Sequence, residues 1–521
     1  MTQVEDAKKR RWRSAWTQDP RWKSVFLTVL CVGFFVHLPI LLRDIPNHDG
    51  LASAYFDQNM ITSGRWFLGM ACALSSYYSL PWMTGVLGFF WLALTGVVLV
   101  EFLEVRSKIS AGLIGALLVT FPVIASNFAY VFTMDGYMLG VFLCVCAPLA
   151  VKKLRYGFLF GAVALAFGLG IYQSYLPFAV ILALMECART LFTAKKIRDW
   201  AKIARSYLMM GGVGVLLYLG ILHLLLWIQG KELASYQGID EAARFGFRGL
   251  GKTFTNMFLD FIEFSVTGKI LLPNLFVAIT FILAILLAGY VFVKRSSRRK
   301  KAKPQITLVW RVIILCVLLV LIPFATNVVL LISPTVSYHT LMRFQWVLFP
   351  ILLLGVLDRY AWGKSRRFVS ALTVILGIVW ISQYTLTDQI AYSNLQKRYE
   401  KTYAYCLRLL DRIEQTPGYY TGIPIAMIGV VGDAPYPTTD YTQAVTATMI
   451  GIGGDSLLYT GKNYQQFMEQ YLGATLNFLP PEAMEEAYYM DFYMEMESFP
   501  AASSICVRDG ILYIKTENMD R

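Results

Sequence analysis

The chain has 521 residues, 56% of them hydrophobic and 16% charged, with a mean hydropathy of +0.52 and a formal net charge of +13. A soluble domain of this length cannot bury so much apolar surface, which leaves a polytopic membrane protein. The basic residues fall in short clusters between apolar runs, as orientation signals do, and not along one stripe. No nucleic-acid partner is therefore expected.

A basic tail, residues 1–24, precedes the first apolar run at 25–42. That run is longer than a signal-peptide core and no small-residue cleavage site follows it, so it reads as an uncleaved anchor. Ten more runs, near 82–103, 109–128, 136–150, 157–172, 175–193, 207–228, 271–293, 310–332, 341–357 and 367–386, bring the candidate spans to eleven. A shorter stretch, 66–78, is interrupted by Ser75-Ser76-Tyr77-Tyr78 and reads as interfacial or re-entrant. With the N-terminus in the cytoplasm, every dense Lys/Arg cluster lands on the cytoplasmic side, whereas counting 66–78 as a span breaks that agreement.

On this topology the loop 43–80, the loop 229–270 and everything from about Asp388 lie outside the cell. Phe254, Met257, Phe258, Phe261 and Ile262 recur at helical spacing, which predicts an amphipathic helix on the outer membrane surface. The tail reads as a helix to about Glu414, a strand over 423–431 and a closing strand over 511–515. It carries 17 acidic against 9 basic residues and is net negative, unlike the rest. The fold class is thus an α-helical polytopic membrane protein, with about eleven transmembrane helices over 25–387 and a small extracytoplasmic α+β domain over 388–521. Six of the eight cysteines sit in apolar segments and read as small core residues; Cys406 and Cys506 fall in the tail, and their pairing stays open.

Ionisable residues near membrane depth sort to outward span ends: Asp44, Asp49, Asp57, Arg65, Asp135, His339 and Arg343. Such charges cost free energy unless they are paired or used, so they make a functional-site hypothesis. Aspartates suit a general base for a hydroxyl nucleophile, and Arg65 and Arg343 suit a phosphate. Each also has a plainer reading, as cap, ion-pair partner or interfacial anchor. His223 and Asn327, within spans, read as satisfied core groups. There is no P-loop, no dinucleotide fingerprint, no zinc-protease motif and no large cytoplasmic domain, which argues against an ATP-driven pump or a nucleotide-sugar enzyme.

Asn47-His48-Asp49-Gly50, Asp57-Gln58-Asn59-Met60 and Ser63-Gly64-Arg65-Trp66 resemble the first outer loop of the serotype-converting O-antigen glucosyltransferases, the glucosyl transferase II family. Members are multi-span enzymes similar to the GT-C class, and the resemblance covers mainly residues 25–150. It implies a bacterial-type plasma membrane, a polyprenyl-phosphate sugar donor, glucose as the sugar and a surface glycan as acceptor. It also implies an essential acid at the start of the loop, which Asp49 matches. Many relatives carry two adjacent acids there, where this chain has His48-Asp49. On this reading Asp49 is the base, Asp44 or Asp135 orients the acceptor, and Arg65 and Arg343 hold the phosphate. Asn47, His48, Trp66, Tyr137 and His339 line the substrate. The scattered aspartates leave room for a divalent cation without establishing one, and no metal ligands are assigned. Two rivals stand beside this reading: a lipid-linked oligosaccharide polymerase or ligase, and a non-enzymatic transporter.

Overall fold

The structure is a computed structural model that describes residues 19–52, 60–75, 79–194, 196–234, 247–298, 306–333, 336–360, 366–428, 440–447, 449, 451–452, 457–458 and 461–516. The chain divides into two compact units. The first comprises residues 1–42 and 56–389, and the second 43–55 and 390–521.

The first unit is helical. Its elements are α1 (Pro20–Leu41), α3 (Leu68–Cys72), α4 (Pro81–Leu103), α5 (Lys108–Thr120), α6 (Val123–Phe128), α7 (Met134–Lys153), α8 (Gly157–Ile171), α9 (Leu176–Leu191), α10 (Ile197–Gln229), α11 (Phe247–Val266), α12 (Leu275–Arg298), α13 (Leu308–Thr326), α14 (Val329–Ile332) and α15 (Leu348–Tyr360). The long helix α16 (Arg366–Glu414) begins here, and the division between units falls within it. α2 (His48–Ala52) belongs to the second unit.

Among the described residues, seven helices are long and apolar enough to cross a membrane, and shorter apolar helices at Lys108–Thr120, Gly157–Ile171 and Leu275–Val291 accompany them. All eleven apolar runs seen in the sequence are helical, several of them broken: 109–128 is split at Phe121-Pro122, and 310–332 at Asn327. Phe35, Leu216, Trp227, Leu286 and Val320 stay exposed on helix faces, so the bundle is apolar outside as well as inside, as lipid contact requires. Of the 66–78 stretch the described part, 66–75, holds the short α3 followed by a single 3-10 turn at Ala73–Ser75. The amphipathic segment is the helix α11.

Several polar groups inside this bundle are paired. His37, wholly buried on α1, lies 2.7 Å through Nε2 from the Val119 carbonyl oxygen and packs between the Phe89 and Phe128 rings. A charged cluster ties helix ends together at the opposite end of α7 from Asp135. Glu104, just past α4, pairs with Lys152 at 2.8 Å, Arg359 at 2.6 Å and Arg189 at 3.4 Å; Lys152 and Arg189 also reach Glu186. Asp358 accepts from the Arg106 and Ser107 backbone N–H groups. The outward bias of ionisable residues read from the sequence is therefore only half of the pattern. The carboxylates at this end escaped notice because their partners lie up to hundreds of residues away.

The second unit carries a four-stranded sheet of β1 (Pro424–Ile428), β2 (Asn477–Phe478), β3 (Ile505–Arg508) and β4 (Ile511–Lys515), in the order β2-β1-β4-β3. β1 pairs parallel to β2 and β4, and β3–β4 is an antiparallel hairpin closed by the two-residue turn Asp509-Gly510. Further helices are α17 (Asp440–Thr446), α18 (Gly461–Leu472), α19 (Pro481–Tyr488) and α20 (Asp491–Glu495). Tyr493, Tyr513, Ala426, Ala487 and Met496 form the core on one sheet face. Cys406 is buried, Cys506 half-buried, and both are free thiols.

Partial burial raises the Glu104 pKa, but the hydrogen bonds from Lys152 and Arg359 win and hold it at about 2. A depressed carboxylate pKa gives stability that is complete above the unfolded value and is lost as pH falls through the folded one. Glu104→Gln is expected to cost about 1 kcal/mol, given solvent screening of this half-exposed group. In thermal melts its deficit against wild type should be constant above about pH 5 and shrink as pH falls from about 4.5 toward 2.

Candidate functional site

The Ser63-Gly64-Arg65-Trp66 turn is gripped from two helices. The Arg65 N–H donates to the Met60 carbonyl at 2.6 Å and the Gly64 N–H to Ile61 at 3.0 Å. Gln173 Nε2, in the turn between α8 and α9, donates to the Ser63 carbonyl at 3.1 Å and to the Tyr218 hydroxyl at 2.8 Å. Tyr218, on α10, passes its own hydrogen to the Gly64 carbonyl at 3.1 Å. Gly64 has φ +77°, and a Cβ there would stand 2.4 Å from Gln173 Nε2 and 2.6 Å from the Tyr218 hydroxyl. Only glycine fits both the backbone and the space.

The grip directs the next two side chains. Trp66 packs against Phe167 and fills the place where a Cβ on Gly170 would sit, 2.6 Å from its ring. The Phe67 N–H donates to the Gly170 carbonyl at 2.7 Å. The Arg65 guanidinium lies 5.3 Å from the Tyr172 ring centroid. Tyr172 stacks on Tyr137 at 4.9 Å, and Tyr175 meets both rings edge-on. Arg65 and Tyr137 are thus brought together around Tyr172, with Trp66 lodged against Gly170. Cation–π contact and a fixed backbone hold a guanidinium in one place, as phosphate recognition needs.

Asp135 opens the first turn of α7, two residues before Tyr137. It is 1% exposed. Its Oδ1 accepts from the Gly136 N–H at 2.9 Å, Ser75 and Cys72 lie beside it, and Oδ2 has no hydrogen-bond partner.

Arg343 occupies a second polar knot. Its Nη1 and Nη2 each donate to Asp260 on α11 at 2.7 Å, and Nε and Nη2 donate to the Tyr338 carbonyl. The guanidinium lies 3.8 Å from the Tyr338 ring centroid and 4.4 Å from that of Phe264. Asn327 Nδ2 donates to Asp260 and to the Met257 carbonyl, and Gln345 Nε2 to the Tyr338 hydroxyl and the Thr326 carbonyl. Asp260 passed unnoticed in the sequence because it sits on the polar face of an amphipathic helix, where an acid needs no explanation. Half-buried His339 lies beside Arg343, and burial together with that cation pushes its pKa below 6.5. Aromatic edges from Tyr175 to Phe178 and from Phe178 to Phe344 join the two knots.

The remaining candidates belong to the second unit. Asn47 caps α2, its Oδ1 accepting from the Gly50 N–H at 2.6 Å. His48 Nε2 lies 3.5 Å from Asp49 Oδ1, and Asn463 on α18 donates to the His48 carbonyl. Burial pulls the His48 pKa below 6.5; Asp49 pulls it up and Arg398 down. Asp44 accepts a hydrogen bond from the Tyr471 hydroxyl at 3.0 Å. Asp57 lies outside the described residues. No three His, Cys, Asp or Glu side chains converge as a metal site would need, among the described residues.

The family model described as Glucosyl transferase GtrII matches residues 38–353, more than half of the chain. The chain belongs to the GtrII glucosyl transferase family. No curated protein and no solved structure matches it. Membership makes this a membrane glycosyltransferase with a sugar donor and an acceptor, and the matched span contains the Arg65 turn, Asp135 and Arg343. It ends before the second unit's sheet.

Two substitutions probe the geometry. Gly64→Ala should destabilise the protein by about 1–2 kcal/mol in thermal melts, from the left-handed backbone alone, with more from the clash. Asp260→Ala should cost about 3 kcal/mol by leaving the Arg343 guanidinium buried without its anion, and removing both partners together should cost less than the two single losses combined.

Proposed function

We propose that this GtrII protein moves a glucosyl unit from a polyprenyl-phosphate carrier to a hydroxyl of a surface glycan, on the extracytoplasmic side of a bacterial plasma membrane. The observation that carries this reading is the held turn at Arg65, which fixes a guanidinium against tyrosine rings inside an apolar bundle. Nucleotide sugars are absent outside the cell, so a transferase acting there needs a lipid-borne donor. The Lys/Arg clusters favour that orientation, with the N-terminus cytoplasmic and the second unit outside.

The chemistry is one in-line displacement of GT-C type with inversion at the anomeric carbon. The acceptor oxygen forms the new bond to that carbon as the carbon–oxygen bond to the lipid phosphate breaks. The acceptor proton passes to the Asp49 carboxylate, and the leaving monophosphate is met by Arg65, with Arg343 as a second cation steadied by Asp260. Asp135 or Asp44 orients the acceptor, and Asn47, His48, Trp66, Tyr137 and His339 shape the surroundings.

Proteoliposomes supplied with labelled glucose on polyprenyl phosphate test the reading. Wild type should transfer from the lipid donor and not from a nucleotide sugar. Asp49→Asn should lower kcat by about 10²–10⁴-fold, and Arg65→Ala should raise the KM for the lipid donor. Wild-type turnover by Asp49→Asn would remove the base assignment; equal use of a nucleotide sugar would remove the donor. The rate should also fall only below pH 6.5, where His48 becomes cationic and pairs with Asp49, occupying the carboxylate. His48→Asn should erase that limb of the kcat–pH profile.

A further inference from the structure

Asp388 lies on α16, inside the first unit and outside the residues matched by the family. It is 0% exposed, and neither carboxyl oxygen has a hydrogen-bond partner among the described residues. A carboxyl group so placed leaves its polar atoms buried without hydrogen bonds, and native structures rarely keep one without a use.

Other polar atoms around it are unused too, the Ser126 and Tyr175 hydroxyls among them. Tyr384, one turn earlier on the same face, meets Phe121 edge-on at 5.3 Å, and Phe121 stacks on Phe344. These contacts join α16 to the helix break at 121–128 and to the 344–347 segment. There, Asn127 Oδ1 and Gln345 Oε1 are buried without partners among the described residues. Both amides spend their N–H groups elsewhere: Asn127 on the Val123 carbonyl, Gln345 on the Thr326 carbonyl and the Tyr338 hydroxyl. Their carbonyl oxygens are therefore fixed as acceptors. Asp135 Oδ2 is a further unused acceptor in the same unit.

The chemistry selects the ligand. A cation would need converging ligands, and no group of three His, Cys, Asp or Glu is present among the described residues. A neutral molecule with several hydroxyl groups brings the donors that these oxygens lack. We propose that Asp388 is a sugar-binding residue whose carboxylate accepts hydrogen bonds from hexose hydroxyls, with Asn127 and Gln345 as neighbouring acceptors. This rests on the glycosyl-transfer reading above for its sugar, which comes either from the donor or from the acceptor glycan.

The test compares Asp388→Asn and Asp388→Leu with wild type in a sugar-free detergent. Methyl glucoside should bind wild type in a calorimetric titration, and both variants should bind it about 10- to 100-fold more weakly. Their melting temperatures should stay level or rise, because no hydrogen bond is lost with the carboxyl group. In transfer assays the KM that rises identifies the source: donor if the lipid sugar, acceptor if the glycan. Unchanged glucoside binding in both variants overturns the proposal. So does a fall in melting temperature in both, which would mark Asp388 as structural. If wild type binds glucoside yet transfers nothing from polyprenyl phosphate, the donor reading fails and the binding comparison still decides this one.

Discussion

Polar groups within an apolar helix bundle must be paired with one another or kept for a ligand, and the first unit obeys that constraint almost everywhere. Glu104 gathers three cations at one end of the bundle. Arg343 is matched to Asp260 atom for atom and enclosed by rings. Against such thorough pairing, the atoms left over carry information. Among the described residues Asp135 and Asp388 keep unused carboxyl oxygens, Asn127, Asn327 and Gln345 keep unused carbonyls, and the Ser126 and Tyr175 hydroxyls are buried without partners as well.

The same constraint explains how a glycine and a glutamine come to matter for a guanidinium. A loop at membrane depth exposes backbone carbonyls that lipid cannot satisfy. Gln173 and Tyr218 satisfy those of Ser63 and Gly64, and in doing so set where Arg65 points. Trp66, lodged against Gly170 and Phe167, fixes the other side of the turn. The catalytic proposal thus draws on a scaffold in which neutral side chains do the positioning and one cation is presented.

Much of the helical architecture was legible because bilayer spans announce themselves by length and apolarity. The extension of α16 to Glu414 could be read, as could the strands near 424 and 511, where hydrophobicity and turn residues punctuate the tail. Breaks inside apolar runs, at Phe121-Pro122 and at Asn327, were harder, since a short polar interruption is tolerated in many straight helices. Pairings distant in sequence were not legible at all. Asp260 lies 83 residues from Arg343, and periodicity says nothing about which acid meets which base. Nor did composition indicate that 43–55 packs as part of the second unit, with Asn47 and His48 beside α18, while Arg65 belongs to the first. Asp388 was read only as the start of the tail, because burial is a property of the fold and not of the residue.

The central claim is that the Arg65 turn receives a lipid-borne phosphate. An experimental structure with a polyprenyl monophosphate sugar bound tests it most directly. Phosphate density is expected within hydrogen-bond distance of the Arg65 guanidinium, beside Tyr172. A phosphate bound away from that turn, with Arg65 untouched, would contradict it.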